Sequence, residues 1–539
     1  MADDSRKPAH HTAGQYIATQ YTTEYLRVKA LAERGVASAQ HSLGFMYANG
    51  QGVPRNDELA VAWYRMAAGS GLEQAQYNLG VMHQRGWGTE QGMHRDAAQA
   101  AYWYRQAAEQ GYAQAQYNLG WLYAKGQGVA ADVQQALHWF GKAAAQGDPG
   151  AQHNLGMMYE GGKGVPQDLA QALAWYRRAA EQGYARAQFN LALRYDAGQG
   201  VARDARQALE WFRKAAEQGH APAQFNLGLR HDKGQDLAQD SALAIEWYGR
   251  AAEQGHASAQ FNLALIHDSG HGHNIEPDPA LALHWFRKAA GQGHAGAQDN
   301  LGLRYENGLG VEQDHAQAAH WYRQAAEQGF AGAQYHLGLL CDAGLGVAQD
   351  AVQAAEWYRQ AAGQGHLRAQ FDLALRHEHG NGVAADAQLA LHWYREAAGQ
   401  DYAPAQYMVG QLLDRDDSGA ADPREAGEWY RKAAEQGHAP AQFALGLRYD
   451  SAHGVARDYE AAHFWYLCAA RQGHARAQFN LGVMYAAGQG VQSDLVEAYA
   501  WLHRAGSAGM APAKAYLQRI AARMTPALLE QAAMHAGAA

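Results

Sequence analysis

Apolar and small residues in this chain return in two helical stripes separated by a glycine turn. In residues 187–219, Gln188, Leu191, Ala192 and Tyr195 stand at i, i+3, i+4 and i+7, one face of a helix we designate A. Gly198-Gln199-Gly200 interrupts that stripe, and Asp204 stands where an N-cap accepts backbone N–H groups. A second stripe, Ala208, Trp211, Phe212, Ala215 and Ala216, predicts a helix B as packed core, and Gly219 fits the left-handed residue that closes it. The pattern predicts a helix-turn-helix hairpin.

The hairpin recurs. Its helix B Trp stands at 63, 103, 139, 175, 211, 247, 285, 321, 357, 393, 429, 465 and 501; ten of the twelve intervals are 36 residues and the others 40 and 38. Self-similarity at that period marks a solenoid, in which each hairpin buries its apolar faces only against its neighbours. The capping Asp recurs in every later unit, with Asn56 in the first. The position of Ala192 is Gly in ten units and Ala in three (Ala192, Ala264, Ala374), which predicts close approach of a neighbouring helix. The closing Gly is replaced once, by Asp401, a residue that tolerates the left-handed region. The expected fold is all-α, a right-handed α/α superhelical solenoid of about 13 helix-turn-helix repeats of 36 residues. Residues 1–24 are expected to be a disordered N-terminal tail, 25–509 the repeat array and 510–539 capping helices, without a boundary inside the array.

The consensus AxAQxNLGxxYxxGxGVxxDxxxAxxWYRKAAEQGH resembles the SEL-1-like repeat family, a relative of the tetratricopeptide repeats, over about residues 25–509. The ARMTP run at 522–526 is similar to the closing helices of bacterial members. The resemblance implies an adaptor or scaffold for protein complexes with no catalytic mechanism of its own. Members are often exported, and some carry a disulfide in each unit. Here only Cys341 and Cys468 occur, too few for that framework.

Composition narrows the partners. Formal charge is −9, and the 44 Lys and Arg residues are spread evenly, so no basic stripe exists to neutralise a phosphate backbone and nucleic acid is excluded. The opening MADDSRKPAHHTAGQ lacks the apolar core of a signal peptide, and no apolar run reaches the ~18 residues of a membrane span. A cytoplasmic monomer is expected, with export by a signal-independent system as the alternative. Phosphate-loop, nucleophile-elbow and dinucleotide fingerprints are absent, and HEHG at 377–380 lacks the second His of a zinc protease motif. No enzyme activity and no cofactor are expected.

Functional information must then sit where units differ. With the helix A glycine (Gly80 and equivalents) as position 0, positions −3, +1 and +4 fall at about 60°, 100° and 40° on the flank that tetratricopeptide relatives turn toward their groove. Position −3 reads His41, Tyr77, Tyr117, His153, Phe189, Phe225, Phe261, Asp299, Tyr335, Phe371, Tyr407, Phe443 and Phe479. These rings fit the seam between successive A helices, the reading we favour, or a grip on a peptide. Position +4 carries an unbroken acidic series, Glu160, Asp196, Asp232, Asp268, Glu306, Asp342, Glu378, Asp414 and Asp450. Stacked like charges repel, so the series fits either a partner with basic segments or solvated helix ends. Arg194, Arg230, Arg304, Arg376 and Arg448 at +2 lie about 160° from the acid of their own helix, so salt bridges between units are expected. The Asn of the NLG run is expected to bond a neighbouring unit.

Three units depart from the pattern. The second has four extra residues, which place Trp87 in a glycine-rich loop, and Trp121 in the third occupies the groove-side +1 position; both are candidate binding anchors outside the repeated core stripe. The seventh gathers His267, Asp268, His271 and His273, an arrangement that could ligate zinc, although many of the 28 histidines simply fill the QGH corner. The eleventh, QLLDRDDSGAADP at 411–423, loses its Gly-x-Gly loop, by drift or as a flexible joint. The leading function is a scaffold binding proteins or peptides along the groove, through Trp87, Trp121, Tyr77, Tyr117 and the acidic series. The alternatives are a secreted effector that captures host or rival-cell proteins, and a metal-binding protein or metalloenzyme using the 267–273 cluster.

Overall fold

A computed structural model describes residues 13–87, 95–270, 276–415 and 421–537. The described residues hold 29 helices and no strand. The first helix, Ala13–Glu33, includes residues 13–24 of the expected tail, while 1–12 lie outside the described residues. From Ala37 to Ser507 the helices alternate as thirteen A/B pairs, each helix thirteen residues long. Two further helices, Ala511–Ala521 and Pro526–Gly537, pack on the last B helix. The chain forms two compact units, residues up to 259 and residues from 260 onward, divided within the first helix of the seventh repeat, the one with two extra residues.

Local chemistry explains each boundary. Asp204 accepts the Gln207 N–H at 3.0 Å, and Asn56 does the same for Leu59 at 2.9 Å, so each B helix has one donor satisfied at its start. The turn after helix B needs a left-handed residue, and Gly219 has φ +83°; Asp401 takes the same region at φ +60°. Position 0 is small because the ring of the following B helix lies on it. A Cβ on Gly80 would stand 2.7 Å from the Tyr104 ring, and one on Gly156 would stand 2.5 Å from the Tyr176 ring.

The core ring is the residue after the repeated Trp. Tyr104, Tyr176, Phe212, Tyr248 and Tyr322 are fully buried, whereas most of the tryptophans are half-buried. Trp393 packs on clusters of two successive repeats, and Trp211 carries Lys214 over its face at 4.2 Å. Each Trp thus seals the seam to a neighbour and snorkels a cation at its outer edge.

A second seam element is polar. Each A helix carries a buried Gln whose amide donates to a carbonyl at the end of the preceding B helix, as Gln116 does to Ala108 at 3.0 Å. Its Oε1 accepts from the Gln that closes the following B helix, as Gln116 accepts from Gln146 at 2.7 Å. In the second unit Gln334 repeats both bonds, to Ala326 at 3.1 Å and from Gln364 at 2.7 Å. The motif fails at Gln40 and Gln478, whose Oε1 atoms are buried without a partner. There the closing residue is Ser70 or Ala508 in place of Gln.

Candidate protein-binding face

The +1 positions of the A helices are the exposed apolar row. In the first unit Phe45 and Met157, and in the second Leu265, Leu303, Leu339 and Leu447, are each 37 to 45% exposed. Other residues at this position, Val81, Trp121, Leu193 and Leu375, pack against core clusters, so the exposed ones are the part of the row that packing does not cover.

The −3 rings fill seams. Phe189 lies 5.8 Å from Phe212 of its own repeat and 4.9 Å from His220 at the next corner, and Tyr77 stands likewise between Tyr104 and Tyr112. Tyr117 contacts Phe140 at 5.9 Å. The −2 residue bonds back to the −3 side chain of the preceding repeat in matched chemistry: Asn78 with His41 at 2.9 Å, Asn190 with His153 at 3.1 Å, His336 with Asp299 at 2.8 Å and Asp372 with Tyr335 at 3.0 Å. Other NLG asparagines, Asn226 and Asn300, cap carbonyls of their own helix instead. Burial pushes the His153 imidazole down to about 4.

The acidic series is not a row of free charges. Glu160, Asp196 and Asp414 hold the +2 arginine of the next repeat, Arg194 at 2.7 Å, Arg230 at 2.6 Å and Arg448 at 2.6 Å, and Asp268 and Asp342 hold Arg304 and Arg376 in the same way. Glu378 meets Arg415 at 3.5 Å. Asp232, Glu306 and Asp450 accept the hydroxyls of Tyr248, Tyr322 and Tyr466. Arg230, Arg304 and Arg376 also lie over the core rings of Phe212, Phe286 and Tyr358, within 5.0 Å of the centroids. Self-repulsion is therefore a weak argument for a basic partner, because six of the nine carboxylates meet an arginine inside the array.

Several seams lack that pair, among them the first-to-second, with Ala48 and Met82, and the third-to-fourth, beside which a cavity opens. Between the third and fourth repeats the +4 acid is Ala124, the +2 arginine is Met158, and the B-helix ring is Phe140, with no hydroxyl to satisfy. A cavity of about 850 Å³ lies there in the first unit, its apolar side formed by Trp121, Met157, Met158, Tyr117, Phe140 and Phe189. Trp121 is half-buried and packs on the core clusters of two seams, so it belongs partly to the core as well as to the cavity. Trp87 also rests on a core cluster, between the guanidinium groups of Arg85 at 4.6 Å and Arg55 at 5.2 Å.

Of the proposed metal cluster, His271 and His273 lie outside the described residues, burial lowers the His267 pKa, and Asp268 is engaged by Arg304. The 416–420 part of the eleventh loop also lies outside them. No group of three or more potential metal-ligating side chains occurs among the described residues.

Tandem helical hairpins joined by Gln, Trp and Arg–carboxylate seams define an α-solenoid of the helix-turn-helix repeat class. The chain belongs to the Sel1 repeat family, whose pattern matches residues 37–72, 73–112, 113–148, 149–184, 185–220, 221–256, 257–294, 295–330, 331–366, 367–402, 403–438, 439–474 and 475–510. A solved structure of a protective antigen present in uropathogenic Escherichia coli strains, displaying an SLR fold, is 37% identical over 81% of this chain and 93% of its own, with a TM-score of 0.70. A Sel1 repeat protein from Oxalobacter formigenes is 35% identical over 58% of this chain and 90% of its own, with a TM-score of 0.44. No curated protein matches the sequence. Repeats of this kind generally mediate protein–protein interactions, on a fold that is generally a non-catalytic scaffold. Among the described residues no helix is long and apolar enough to cross a membrane.

Proposed function

We propose that the protein is an interaction scaffold that holds partner proteins or peptides against the faces of its A helices, without catalysis. The observation that carries this reading is the exposed apolar row at +1, repeated in both compact units. Leu265, Leu303 and Leu339 stand on three successive A helices, and neighbouring exposed apolar side chains of this kind suit an interaction site. Trp121 and Tyr117 serve as anchors in the first unit, with Tyr77 and Trp87 next to them along the chain. Glu160, Asp196, Asp268, Asp342, Glu378 and Asp414 tie successive repeats together through arginines and leave recognition to the apolar row.

Tagged full-length protein carrying Leu303→Asp with Leu339→Asp tests this, with Met157→Asp as the first-unit counterpart. Affinity capture from the producing cell, read by mass spectrometry, should lose partners several-fold while thermal melting stays within a few degrees of the parent. Equal recovery of the same partners by all variants refutes the reading.

One observation favours export as a second reading: the 37% identical relative is a protective antigen. In that case the same face captures proteins outside the producing cell. Immunoblotting of cells and culture medium separates the two, and protein confined to the cells removes the second.

A further inference from the structure

The lining of the cavity beside the third-to-fourth seam carries an excess of positive charge. Three cations line it, Lys125, Lys163 and Arg186, all exposed and none in an ion pair among the described residues. Its one carboxylate, Asp132, is occupied as an N-cap by the Gln134 and Gln135 N–H groups at 2.9 and 3.0 Å. Its histidines do not add to the charge at neutral pH, since burial lowers the pKa of both His153 and His220 and Arg186 lowers both further. A cluster of unpaired cations around an apolar cavity thus stands in a chain whose net charge is −9.

We propose that this cavity docks a partner segment in which a large apolar side chain is flanked by carboxylates. The proposal rests on the scaffold reading above and names the partner chemistry for one site on that face. The apolar side chain would enter between Trp121, Met157 and Phe189, and its flanking Asp or Glu residues would meet Lys125, Lys163 and Arg186. The volume of about 850 Å³ lies within the ~300–1,000 Å³ of ligand pockets and accommodates an aromatic anchor with part of its backbone. Ala124 and Met158 leave the cavity wall neutral where the following seam has Glu160 and Arg194, while Trp121, Met157 and Phe189 give it its apolar lining. An Asp in place of Ala124 would both fill space and add the wrong sign of charge.

Fluorescence anisotropy with synthetic octapeptides and the full-length chain tests the proposal. One peptide has a central Phe flanked by aspartates, the second has lysines in their place, and the third keeps the aspartates around a central Ala. The first should bind, and its affinity should fall as salt rises; the other two should bind at least tenfold more weakly. Charge reversal of Lys125, Lys163 and Arg186 together should abolish the preference for aspartate over lysine. Trp121→Ala should weaken binding tenfold or more, the effect of losing a hot-spot aromatic. Because Trp121 also packs, the double variant Ala124→Asp with Met158→Arg gives a second reading: it builds the acid–arginine pair that the following seam makes with Glu160 and Arg194, fills the cavity and should remove peptide binding with melting unchanged or raised.

Equal binding of the aspartate and lysine peptides overturns the proposal, as does undiminished binding by the rebuilt seam. A concentration-dependent dimer lost in the rebuilt seam would assign the cavity to a second copy of the chain and overturn it too. If the Leu303 and Leu339 variants lose their partners while the acidic peptide fails to bind, the cavity chemistry alone is wrong. If those variants retain every partner, the scaffold reading fails independently.

Discussion

Replacing Ser70 with Gln should stabilise the first repeat, because it completes a hydrogen bond that the other repeats make and this one leaves open. Gln40 Oε1 is buried without a partner, although its amide donates to Ala32 O at 3.2 Å. In the second repeat the equivalent oxygen, on Gln76, accepts from Gln110 at 2.7 Å. Ser70 and Gln110 have the same backbone, φ −82°, ψ 4° against φ −79°, ψ −5°, so the longer side chain needs no rearrangement of the turn. A satisfied buried acceptor gains roughly 1–3 kcal/mol, and fixing a Gln side chain costs up to about 2 kcal/mol. The expected gain is about 1 kcal/mol, and Ala508→Gln should act similarly on Gln478 at the other end. Hydrogen exchange is the assay to use, since stabilisation in a repeat array is felt by the repeat itself and its neighbours. Amides of residues 37–69 should gain about fivefold protection and those beyond the third repeat none. Ser70→Glu is the control: a carboxylate has no proton to donate and should give no gain. If Glu stabilises as much as Gln, or Gln gives nothing, the orphaned oxygen is not a cost and the reasoning fails.

Acidification should destabilise the array through its buried histidines. His153 is held to about 4 when folded against ~6.5 unfolded, so only the unfolded chain takes up the proton between those values. That contribution is intact above pH 6.5, declines as pH falls toward 4 and amounts to roughly 3 kcal/mol; urea titration of His153→Phe should show a shallower decline. Arg376→Met should cost about 2 kcal/mol, less than the ~3–5 of a fully buried pair because Asp342 is a third exposed. Adding Asp342→Ala should recover most of it, since Ala124 and Met158 already form such a seam, and a double-mutant cycle by denaturant melts checks the coupling. Gly156→Ala, whose Cβ would press on the Tyr176 ring, should cost about 1–2 kcal/mol, at the low end for overpacking because Ala374 already sits beneath Tyr394. A melt equal to the parent's would show that the ring yields freely.

The helices were legible because their signals are local. Period, capping Asp and closing Gly each act within a few residues, and Asp401 at φ +60° follows from the backbone demand of one turn. The helical wheel predicted salt bridges between units, but it did not say which acid each arginine meets. Arg194 and Asp196 point apart on one helix, and Arg194 pairs instead with Glu160, 34 residues earlier. The same limit hid the division of labour in Trp211-Phe212, which reads as one apolar stripe. Phe212 is fully buried, while Trp211 faces the seam and stays half-exposed. Trp121 was recognisable as a departure, but its contact with two core clusters was not, because both lie on other helices. The Gln ladder had a readable trace: position 70 is Ser and 508 is Ala where the intervening repeats have Gln.

A repeat protein can change its surface without changing its fold when seam positions are replaced as a set. Asp196, Phe212 and Arg230 make a seam in which the carboxylate finds the guanidinium and the guanidinium lies on the ring. Removing the arginine alone would leave the acid without its cation, and removing the acid alone would leave the buried guanidinium to Asp236 only. Ala124, Phe140 and Met158 avoid both penalties, since no member of that set requires a polar partner. The neutral set leaves Phe140 and Met158 to line a cavity together with the adjoining +1 and −3 residues Trp121, Met157, Tyr117 and Phe189. Trp121 packs on the core clusters of two seams while it lines that cavity. Neutrality alone does not make such a site, since Ala48 and Met82 form the same pair between the first and second repeats; the rings at +1 and −3 and the exposed Lys125, Lys163 and Arg186 set this seam apart.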